Sequence, residues 1–393
     1  MTPDHNPIMK TVGIFNDSFP PIMDGVSLTV QNYAYWLQKK NQPVCVITPK
    51  SPDYEDEEPY PVYRYSSIPI IGRKPYRLGF PNIDISFKSE IEHISFGLVH
   101  AHCPFTSGLL ALQIAREHKI PLVATFHSKY RDDFERSFHN KNLAKLMLKE
   151  IIWFYEKADE VWIPQAAVEE TLREYGYKGK VEVMDNGSDY SNSMPIVPIK
   201  KQARIELKIT ETEFVFLFVG QHIWEKNTRM IIESLALLKD IHFKMFFIGT
   251  GYAKDDLMQL VNDLGLDSKV EFLGVIYNRD ELKKYYAAAN LFLFPSIYDN
   301  APLVVREAAA LHTPAILVNG STAAEKVIDN FNGFLIENSA ESLALKIREL
   351  SILPKLIEET GQNAAHTIAR SWESVTDEVL GRYKMLMERT WKR

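Results

Sequence analysis

Short runs of β-branched and aromatic residues alternate along this chain with longer segments in which apolar residues recur at helical spacing. Parallel strands need a crossover connection, usually a helix, so this alternation predicts an α/β protein built on parallel sheets. In the first half, strands are predicted at residues 11–15, 44–48, 98–101, 122–126, 161–164 and 181–184.

The same alternation begins again in the second half, with strands predicted at residues 214–219, 243–248, 270–273, 291–294, 315–318 and 333–336. A chain of 393 residues is of a natural size for two domains. Residues 188–201 contain two prolines and three serines without a clear period, which indicates an interdomain linker. We therefore expect one domain over residues 1–190, a second over 191–371, and a helix over 372–393 that packs back toward the N-terminal domain.

Composition narrows the classes of function. A formal net charge of −6 disfavours broad nucleic-acid binding. The sequence has neither a run of roughly 20 apolar residues nor the apolar core of a secretory signal, so a cytoplasmic location is expected. The two cysteines, Cys45 and Cys103, have no paired spacing and are expected to be small buried side chains.

The loop after the predicted strand 214–219 has the residues of an anion site. Gly220 permits a tight turn, and Gln221, His222 and Lys226 lie just before a helix, where they can face a diphosphate. The alternative is a structural turn with a solvated lysine, and the local sequence favours neither.

The segment 295–307 combines a helix start with two carboxylates. Pro302 suits the first helical position, which leaves the N–H groups of Leu303 and Val304 for a phosphate. Asp299 can meet sugar hydroxyls, and Glu307 can accept hydrogen bonds from the two hydroxyls of a ribose. The alternative is that Asp299 is a loop or capping residue and that Glu307 pairs with a cation.

The loop 17–25 follows the opening strand and is expected to lie over a ligand. Gly25 lets the backbone approach a ligand closely, and Asp24 lies beside it. A simple helix-entry turn is an equally good local interpretation.

The segment PSIYDNAPLVVREAAALHTPAIL is accompanied, in order along the chain, by DSFPPIMDGVSLTVQNYAYWL, VATFHS, MDNGSD, FVGQHIWEKN, FIGTGY, VEFLGV and NGSTAAE. Together these segments resemble the family 4 glycosyltransferases with the GT-B fold, over nearly the whole chain. The resemblance implies two facing Rossmann-like domains with a cleft between them. It also implies retaining transfer of a hexose from a nucleotide-diphosphate sugar, with UDP-sugars favoured.

The resemblance also assigns roles to residues. It implies that Lys226 contacts the diphosphate, that Glu307 holds the ribose, and that Asp299 holds the donor sugar, with His127 as an orienting group and less plausibly a general base. His127, Lys226 and Asp299 are the expected catalytic residues. The other donor-binding positions that it implies are Gly25, Gly220, Gln221, His222, Gly274 near the base, Asn300, Ala301, Leu303 and Val304.

Three positions depart from the family pattern. Asp299 stands where the family has a glutamate, and Gln221 stands where an arginine is usual. Pro302 occupies a position that is commonly glycine and lacks an N–H. We expect no metal cofactor, because the chain has no Asp-x-Asp motif and its aspartate pairs, Asp132-Asp133 and Asp255-Asp256, lie in helical or charged contexts.

On the acceptor side, the segments VYRYSSIPIIGRKPYRLGFPN and VHAHCPFTSGLLALQIAREHKIPLVATFHSKYRDDF most resemble the branch that glycosylates lipids such as diacylglycerol or phosphatidylinositol. A hydroxyl acceptor in an anionic membrane surface fits the mixture of basic and apolar residues there. The candidate acceptor-side residues are Asp24, Arg73, Lys74, Tyr76 and Arg77.

The segment 140–155 mixes apolar residues with lysines, and burial of its apolar face in the domain core competes with membrane contact. Three other functions compete with a lipid glycosyltransferase. They are transfer to a soluble or cell-wall acceptor, epimerisation of a nucleotide sugar, and sugar-nucleotide binding with weak activity.

Overall fold

The protein is described from a computed structural model over residues 10–52, 54–70, 75–131, 134–135, 141–190, 195–210 and 212–391. Arg73, Lys74, Asp132 and Asp133 lie outside these residues. The chain divides into two compact units, one formed by Met1–Asn186 with Trp372–Arg393 and the other by Gly187–Ser371.

The first unit has a parallel sheet of the Rossmann-like kind. Its strands are β1 (Thr11–Phe15), β2 (Val44–Pro49), β3 (Val62–Tyr65), β4 (Ser67–Pro69), β5 (Arg77–Gly79), β6 (Phe96–Ala101), β7 (Leu122–Thr125), β8 (Glu160–Ile163) and β9 (Val181–Val183). Its helices include α1 (Gly25–Lys39), α2 (Ile85–Ile91), α3 (Thr106–His118), α4 (Lys141–Tyr155) and α5 (Val168–Glu174). The strand order is β3-β2-β1-β6-β7-β8-β9, and β4 with β5 forms a separate antiparallel pair.

The second unit repeats this architecture. Its strands are β10 (Phe214–Val219), β11 (Phe243–Ile248), β12 (Val270–Gly274), β13 (Leu291–Leu293), β14 (Ala315–Val318) and β15 (Phe334–Ile336). Its helices include α6 (Ile196–Glu206), α7 (Thr228–Ala236), α8 (Lys254–Asp263), α9 (Arg279–Ala288), α10 (Leu303–Ala310), α11 (Ala340–Ser351) and α12 (Pro354–Thr367). The strand order is β12-β11-β10-β13-β14-β15, and every pairing is parallel.

The C-terminal helix α13 (Trp372–Trp391) packs on α1 and β6 in the first unit. Tyr383 on this helix is fully buried, and its ring stacks on that of Trp162 with centroids 5.5 Å apart. An aromatic contact of this kind adds to the apolar area that both side chains bury. The helix is therefore part of the core of the first unit.

The predicted strands are confirmed, because a strand buried on both faces of a parallel sheet is a continuous apolar run that is easy to recognise. All six residues of β2 and of β6 are buried. Strand β3 and the pair of β4 and β5 were not expected from the sequence. Three of the four residues of β3 are only partly buried. Strands β4 and β5 have three residues each, with Ile68 and Leu78 half exposed, and so show no clear alternation.

The expected linker at residues 188–201 is wrong in part. Helix α6 begins at Ile196, with Pro195 as its extended N-cap residue. At the start of this segment, Asp189 and Tyr190 contact Arg279, so the second unit begins at Gly187. Residues 191–194 lie outside the described chain.

Among the described residues, no helix combines the length and the apolar character needed to cross a membrane.

Two glycines within helices should respond in opposite ways to a methyl group. At Gly361 in α12, an added Cβ would lie 2.2 Å from the backbone oxygen of His312, whereas at Gly381 in α13 it would meet no atom within 4 Å. We expect Gly381→Ala to raise the free energy of unfolding by about 0.5–1 kcal/mol, the usual gain for such a change in a helix, and Gly361→Ala to lower it. Urea unfolding followed by circular dichroism measures both, and a gain in both variants would contradict the close approach at Gly361.

Candidate functional site

The strand order of the second unit reverses at β10, because β11 lies on one side of it and β13 on the other. Ligands of open α/β sheets bind at the carboxyl ends of the strands beside such a reversal. The loop after β10 contains Lys226, and the loop after β13 contains Asp299. The fold therefore brings the two predicted donor segments together.

Glycine ends or follows three neighbouring strands at this edge. Gly220, Gly249 and Gly274 all have positive φ angles, of 154°, 131° and 72°. A Cβ on Gly249 would lie 2.0 Å from the backbone oxygen of Gly220, so the two loops approach more closely than any side chain would allow. The Gly249 N–H donates to the Gly274 oxygen at 2.7 Å, which joins the third loop to the other two.

Lys226 and Asp299 form an ion pair and hydrogen bond between the Lys226 Nζ atom and the Asp299 Oδ1 atom. Their side chains are 13% and 16% exposed, and the Lys226 Nζ atom also lies 5.4 Å from the centroid of the Phe294 ring. The Asp299 Oδ2 atom is buried and accepts no hydrogen bond from the described residues. This site thus places a cation beside a carboxylate that keeps one oxygen unused.

The position of Lys226 is determined by its neighbours in the chain. It ends a 3₁₀ turn over Trp224–Lys226, and Asn227 follows with a φ of 54° as the N-cap residue of α7. The Asn227 Nδ2 group donates to the backbone oxygen of Pro295 at 2.9 Å. This bond ties the lysine loop to the loop that contains Asp299.

The structure places His222 in the core rather than toward an anion. Its fully buried ring lies among the rings of Phe218, Phe247 and Phe272, with centroid distances of 5.6–6.1 Å. Burial lowers the pKa of His222 to about 4, so the ring is neutral at pH 7. The expectation that His222 can face a diphosphate therefore finds no support in its buried placement, whereas Gln221 is exposed.

Glu307 is almost completely buried in a network that the sequence did not reveal. Its Oε1 atom accepts a hydrogen bond from Arg279 at 2.5 Å, and its Oε2 atom accepts one from the Tyr286 hydroxyl at 2.8 Å. Arg279 also pairs with Asp189 at 2.9 Å and lies over the ring of Tyr190. The alternative that Glu307 pairs with a cation is confirmed. Each carboxylate oxygen keeps a second lone pair that can accept a hydroxyl.

The start of α10 differs by one residue from the expectation. Pro302 is the N-cap residue with an extended ψ of 124°, so Leu303 and Val304 are the first two helical residues. Their N–H groups have no acceptor within the helix, as predicted, and they point toward its N-terminal end. Asn300 is buried and Ala301 is partly exposed in the loop that precedes the helix.

In the first unit, the strand order reverses at β1, between β2 and β6. Asp24 follows β1 as the N-cap residue of α1 and accepts a hydrogen bond from the Ser27 N–H at 2.8 Å, with Gly25 exposed beside it. Asp24 also accepts one from the Tyr76 hydroxyl at 3.2 Å, and burial raises its pKa. The structure thus brings together two of the predicted acceptor-side residues, and the helix-entry interpretation of Asp24 also holds.

The hydrogen bonds of Arg77 go to Ser67 rather than to Asp24 or Tyr76. Its guanidinium donates to the Ser67 hydroxyl at 2.8 Å and to the Ser67 oxygen at 3.0 Å, which ties β5 to β4. Its hydrogen bonds therefore stabilise the two-stranded sheet.

The loop before Asp24 is held by Asp17. Its carboxylate accepts hydrogen bonds from the Ser107 N–H at 2.9 Å, the Tyr65 hydroxyl at 2.9 Å and the Cys103 thiol at 3.1 Å. Cys45 and Cys103 are both free and buried, as expected. Cys103 therefore also serves as a hydrogen-bond donor.

His127 follows β7 and stacks on His102, which follows β6. Their rings are nearly parallel, with centroids 5.2 Å apart, and the Nδ1 atom of His102 lies 3.0 Å from the Nε2 atom of His127. Burial lowers the pKa of His127 to about 3, which keeps its ring neutral at pH 7. The sequence analysis selected His127 but not His102. The signal for His102 was its position two residues after His100, because residues two apart at a strand point to the same face.

Two family models match this chain, one described as glycosyl transferases group 1 over residues 199–367 and one as glycosyltransferase family 4 over residues 23–192. The alpha-monoglucosyldiacylglycerol synthase of Streptococcus pneumoniae is 24% identical over 89% of this chain and 80% of that protein. The synthase of the same name from Acholeplasma laidlawii is 25% identical over 90% of this chain and 91% of that protein.

Solved structures agree on the fold. Sucrose-phosphate synthase from Thermosynechococcus elongatus superposes with a TM-score of 0.81 at 21% identity, covering 97% of this chain and 100% of that one. Anabaena HepE, solved in complex with UDP and glucose, superposes with a TM-score of 0.76 at 18% identity, covering 96% and 99%. These similarities show that the fold is GT-B.

Neither ring nitrogen of His222 has a hydrogen-bond partner among the described residues. Replacement by leucine removes two unpaired polar atoms, so we expect His222→Leu to raise the free energy of unfolding by about 1 kcal/mol or more at pH 7. The imidazole pKa is near 6.5 in the unfolded chain and about 4 in the folded one, so the unfolded chain binds the extra proton between these values.

The stability advantage of His222→Leu over the wild type should therefore grow as the pH falls from about 6.5 to about 4. Urea unfolding across this pH range gives the difference in free energy of unfolding between the variant and the wild type. The other buried histidines are present in both proteins, so their contributions cancel in this difference. A constant or shrinking difference would contradict a neutral, unpaired His222.

Proposed function

Because this chain belongs to the group 1 and family 4 glycosyltransferases, we propose that it transfers a hexose from a nucleotide-diphosphate sugar to a hydroxyl acceptor with retention of configuration. The observation that carries the proposal is the Lys226–Asp299 pair at the strand-order reversal of the second unit, beside the start of α10. UDP-sugars are the favoured donors, in keeping with the UDP bound in Anabaena HepE.

The leaving group in such a transfer is a diphosphate whose negative charge grows as the glycosidic bond breaks. Lys226 supplies a cation to that charge, and the N–H groups of Leu303 and Val304 supply the positive end of a helix dipole. In the donor complex, Lys226 turns from Asp299 to the phosphate oxygens. The freed Asp299 carboxylate, of which one oxygen is already unused, accepts hydrogen bonds from sugar hydroxyls.

The nucleoside is assigned to the neighbouring loops. Glu307 accepts the ribose hydroxyls through the second lone pairs of its oxygens, while Arg279 and Tyr286 hold the carboxylate in one orientation. The backbone at Gly274 lies at the carboxyl end of β12, two strands from the reversal, and is assigned to the base.

We assign no carboxylate nucleophile and no metal to the reaction. Asp299 binds hydroxyls of the donor sugar and does not attack it, and transfer on one face of the sugar proceeds through a short-lived ion pair. His127 is neutral and orients the donor sugar.

The donor site is tested with Lys226 and Asp299 variants in a transfer and hydrolysis assay that contains a metal chelator. Lys226→Met should lower the rate with a UDP-sugar by about 10²-fold or more, because it removes the cation that faces the leaving group. Asp299→Glu, which restores the residue usual in the family, should keep activity, whereas Asp299→Asn should lose it.

Lys226→Met also leaves Asp299 without its partner and can destabilise the fold, so the double variant Lys226→Met with Asp299→Asn serves as the control for folding. Wild-type protein that binds no UDP- or GDP-sugar in thermal-shift measurements would refute the proposal. Turnover of the sugar without transfer would indicate an epimerase, and binding without turnover a weakly active binding protein.

For the acceptor, we propose a lipid hydroxyl at a membrane surface. The synthases from Streptococcus pneumoniae and Acholeplasma laidlawii are named for a diacylglycerol glycolipid. Helix α4 has apolar residues on two faces, with Ala144, Leu148, Ile151 and Ile152 in the core of the first unit. The opposite face exposes Leu143, Leu146 and Trp153, with Lys145 and Lys149 exposed among them. This mixture suits an anionic membrane surface.

A groove in the first unit supports the same acceptor. It has a volume of about 340 Å³ and is lined by Phe80, Pro81, Ile83 and Leu109 among others. The first lining residue along the chain is Gly79, three residues after Tyr76 in sequence. We propose that an apolar chain of the lipid lies along these side chains.

Sedimentation with phosphatidylcholine vesicles that contain increasing phosphatidylglycerol tests this proposal. Leu146→Ser combined with Trp153→Ser should weaken binding by about tenfold or more, because each exposed side chain contributes on the order of 1.5–3 kcal/mol when it is buried in lipid. Binding should also fall with added salt.

The matched control is Leu345→Ser on α11, since Leu345 is 64% exposed and Leu146 is 56% exposed. This control should bind like the wild type. Indifference of the wild type to lipid charge and salt would point instead to a soluble or cell-wall acceptor.

A further inference from the structure

The segment MDNGSD, over residues 184–189, ends on a carboxylate that reaches the network of Glu307. Asp189 belongs to the second unit, as do Arg279 and Glu307. The Asp189 Oδ2 atom lies 2.9 Å from the Arg279 Nε atom. The Nε–H bond is not directed along this line, so the contact is an ion pair rather than a hydrogen bond.

The residues on either side of Asp189 fix its position against Arg279. The Tyr190 hydroxyl donates to the Arg279 backbone oxygen at 3.0 Å, and the guanidinium lies over the Tyr190 ring at 4.9 Å from its centroid. On the other side, the Ser188 N–H donates to the Arg370 oxygen at 2.7 Å. The Ser188 hydroxyl also accepts a hydrogen bond from the Tyr190 N–H at 3.1 Å. Asp189 is therefore held beside a guanidinium that is itself anchored.

Arg279 is shared between two carboxylates. Its Nη2 group donates to the Glu307 Oε1 atom at 2.5 Å, while its Nε atom faces Asp189. Burial lowers the pKa of Arg279, but the charges of Glu307 and Asp189 raise it above its ordinary value, so the guanidinium stays charged. An arginine often bonds both oxygens of one carboxylate with two parallel hydrogen bonds. In this protein Arg279 bonds one oxygen of Glu307 instead.

The other oxygen of Glu307 is bonded by Tyr286, whose hydroxyl donates to the Oε2 atom at 2.8 Å. Burial raises the pKa of Tyr286 well above its ordinary value, so this hydroxyl keeps its proton. Each Glu307 oxygen thus accepts one hydrogen bond and keeps a second lone pair. Without the charge of Asp189, the guanidinium would be drawn to Glu307 alone and would bond both of its oxygens. Those bonds would occupy the lone pairs that two neighbouring hydroxyls need.

We propose that Asp189 is a positioning residue for nucleotide binding. It keeps Arg279 on a single oxygen of Glu307 and so preserves the lone pairs that accept the 2′- and 3′-hydroxyls of a ribose. This role rests on the proposed function, in which Glu307 holds the ribose of the donor. Asp189 acts through Arg279, so its effect is on affinity for the nucleotide rather than on the bond that breaks.

Binding of UDP and of 2′-deoxy-UDP to the full chain, measured by isothermal titration calorimetry, isolates the contribution of the ribose. The wild type should bind UDP about tenfold or more tightly than 2′-deoxy-UDP, because the deoxy ligand leaves one Glu307 lone pair unused. Asp189→Asn keeps the shape but removes the charge, and should bring this ratio close to one by weakening the binding of UDP. With a UDP-sugar, the variant should raise KM by about tenfold with little change in kcat.

Asp240→Asn is the matched control, because Asp240 also pairs with an arginine of the second unit, with its Oδ1 atom 3.2 Å from the Arg348 Nη2 atom. This control should keep the wild-type ratio of affinities. An unchanged ratio in Asp189→Asn would overturn the proposal. An equal loss of affinity for UDP and for 2′-deoxy-UDP would also overturn it, since a merely structural role predicts that result.

Urea unfolding without ligand tests the sharing of Arg279 independently. In Asp189→Asn and in Glu307→Gln the guanidinium keeps one of these two carboxylates, whereas in the double variant it keeps neither. The free energy of unfolding should therefore fall by more in the double variant than in the two single variants added together. Additive losses would overturn the shared pairing, and if the double variant does not fold, the affinity ratio in Asp189→Asn decides.

The two measurements also separate this role from the proposed function. Wild-type protein that binds no UDP would refute the proposed function and, with it, the ribose role of Asp189. A more than additive loss in the double variant would then still show that Asp189 and Glu307 share Arg279. Wild-type protein that prefers UDP to 2′-deoxy-UDP, together with the same preference in Asp189→Asn, would overturn the role of Asp189 and leave the proposed function intact.

Discussion

The reversal of strand order at β10 is the constraint on which the candidate site of the second unit depends. β11 and β13 pair with opposite sides of β10, so the loops that follow β10 and β13 lie side by side at the carboxyl edge. The Asn227 Nδ2 group after β10 ties these two loops together, because it donates to the backbone oxygen of Pro295 after β13 at 2.9 Å. Lys226 and Asp299, 73 residues apart in sequence, form an ion pair as a result.

The charged side chains Lys226, Asp299, Arg279 and Glu307 form ion pairs with one another in the second unit. An unpaired carboxylate buried like Glu307 would strongly destabilise the fold. Arg279 and Tyr286 prevent this, because each donates a hydrogen bond to one of the two Glu307 oxygens. Lys226 and Asp299 are paired more simply, with one carboxylate oxygen unused. The Glu307 carboxylate is thus hydrogen-bonded through both oxygens, whereas Asp299 is bonded through one.

The first unit has a strand-order reversal of the same kind, with different side chains beside it. Its strand order reverses at β1, and the edge there carries Asp24 at a helix start and the stack of His100, His102 and His127. Burial keeps these imidazoles uncharged. Two sheets of similar topology thus present different chemistry, a lysine paired with a carboxylate in the second unit and neutral imidazoles together with the carboxyl group of Asp24 in the first.

The sequence alone determined the fold class, the buried strands and the family, because strands buried on both faces are continuous apolar runs and the motifs lie in the strand-end loops. It also predicted Lys226 and Asp299 as members of one site, and the structure pairs these two side chains. It did not identify β3, which is mostly only partly buried, or β4 and β5, whose three residues each are too few for a pattern. It also missed the helix that begins at Ile196.

Only the tertiary structure decided which side chains meet. The partners of Glu307 come from α9, the ring of His222 is turned into an aromatic core, and the partner of His127 comes from the end of the adjacent strand β6. Each of these contacts joins segments that are distant in sequence. The order of strands in the sheet sets such neighbours, and local periodicity carries no information about that order.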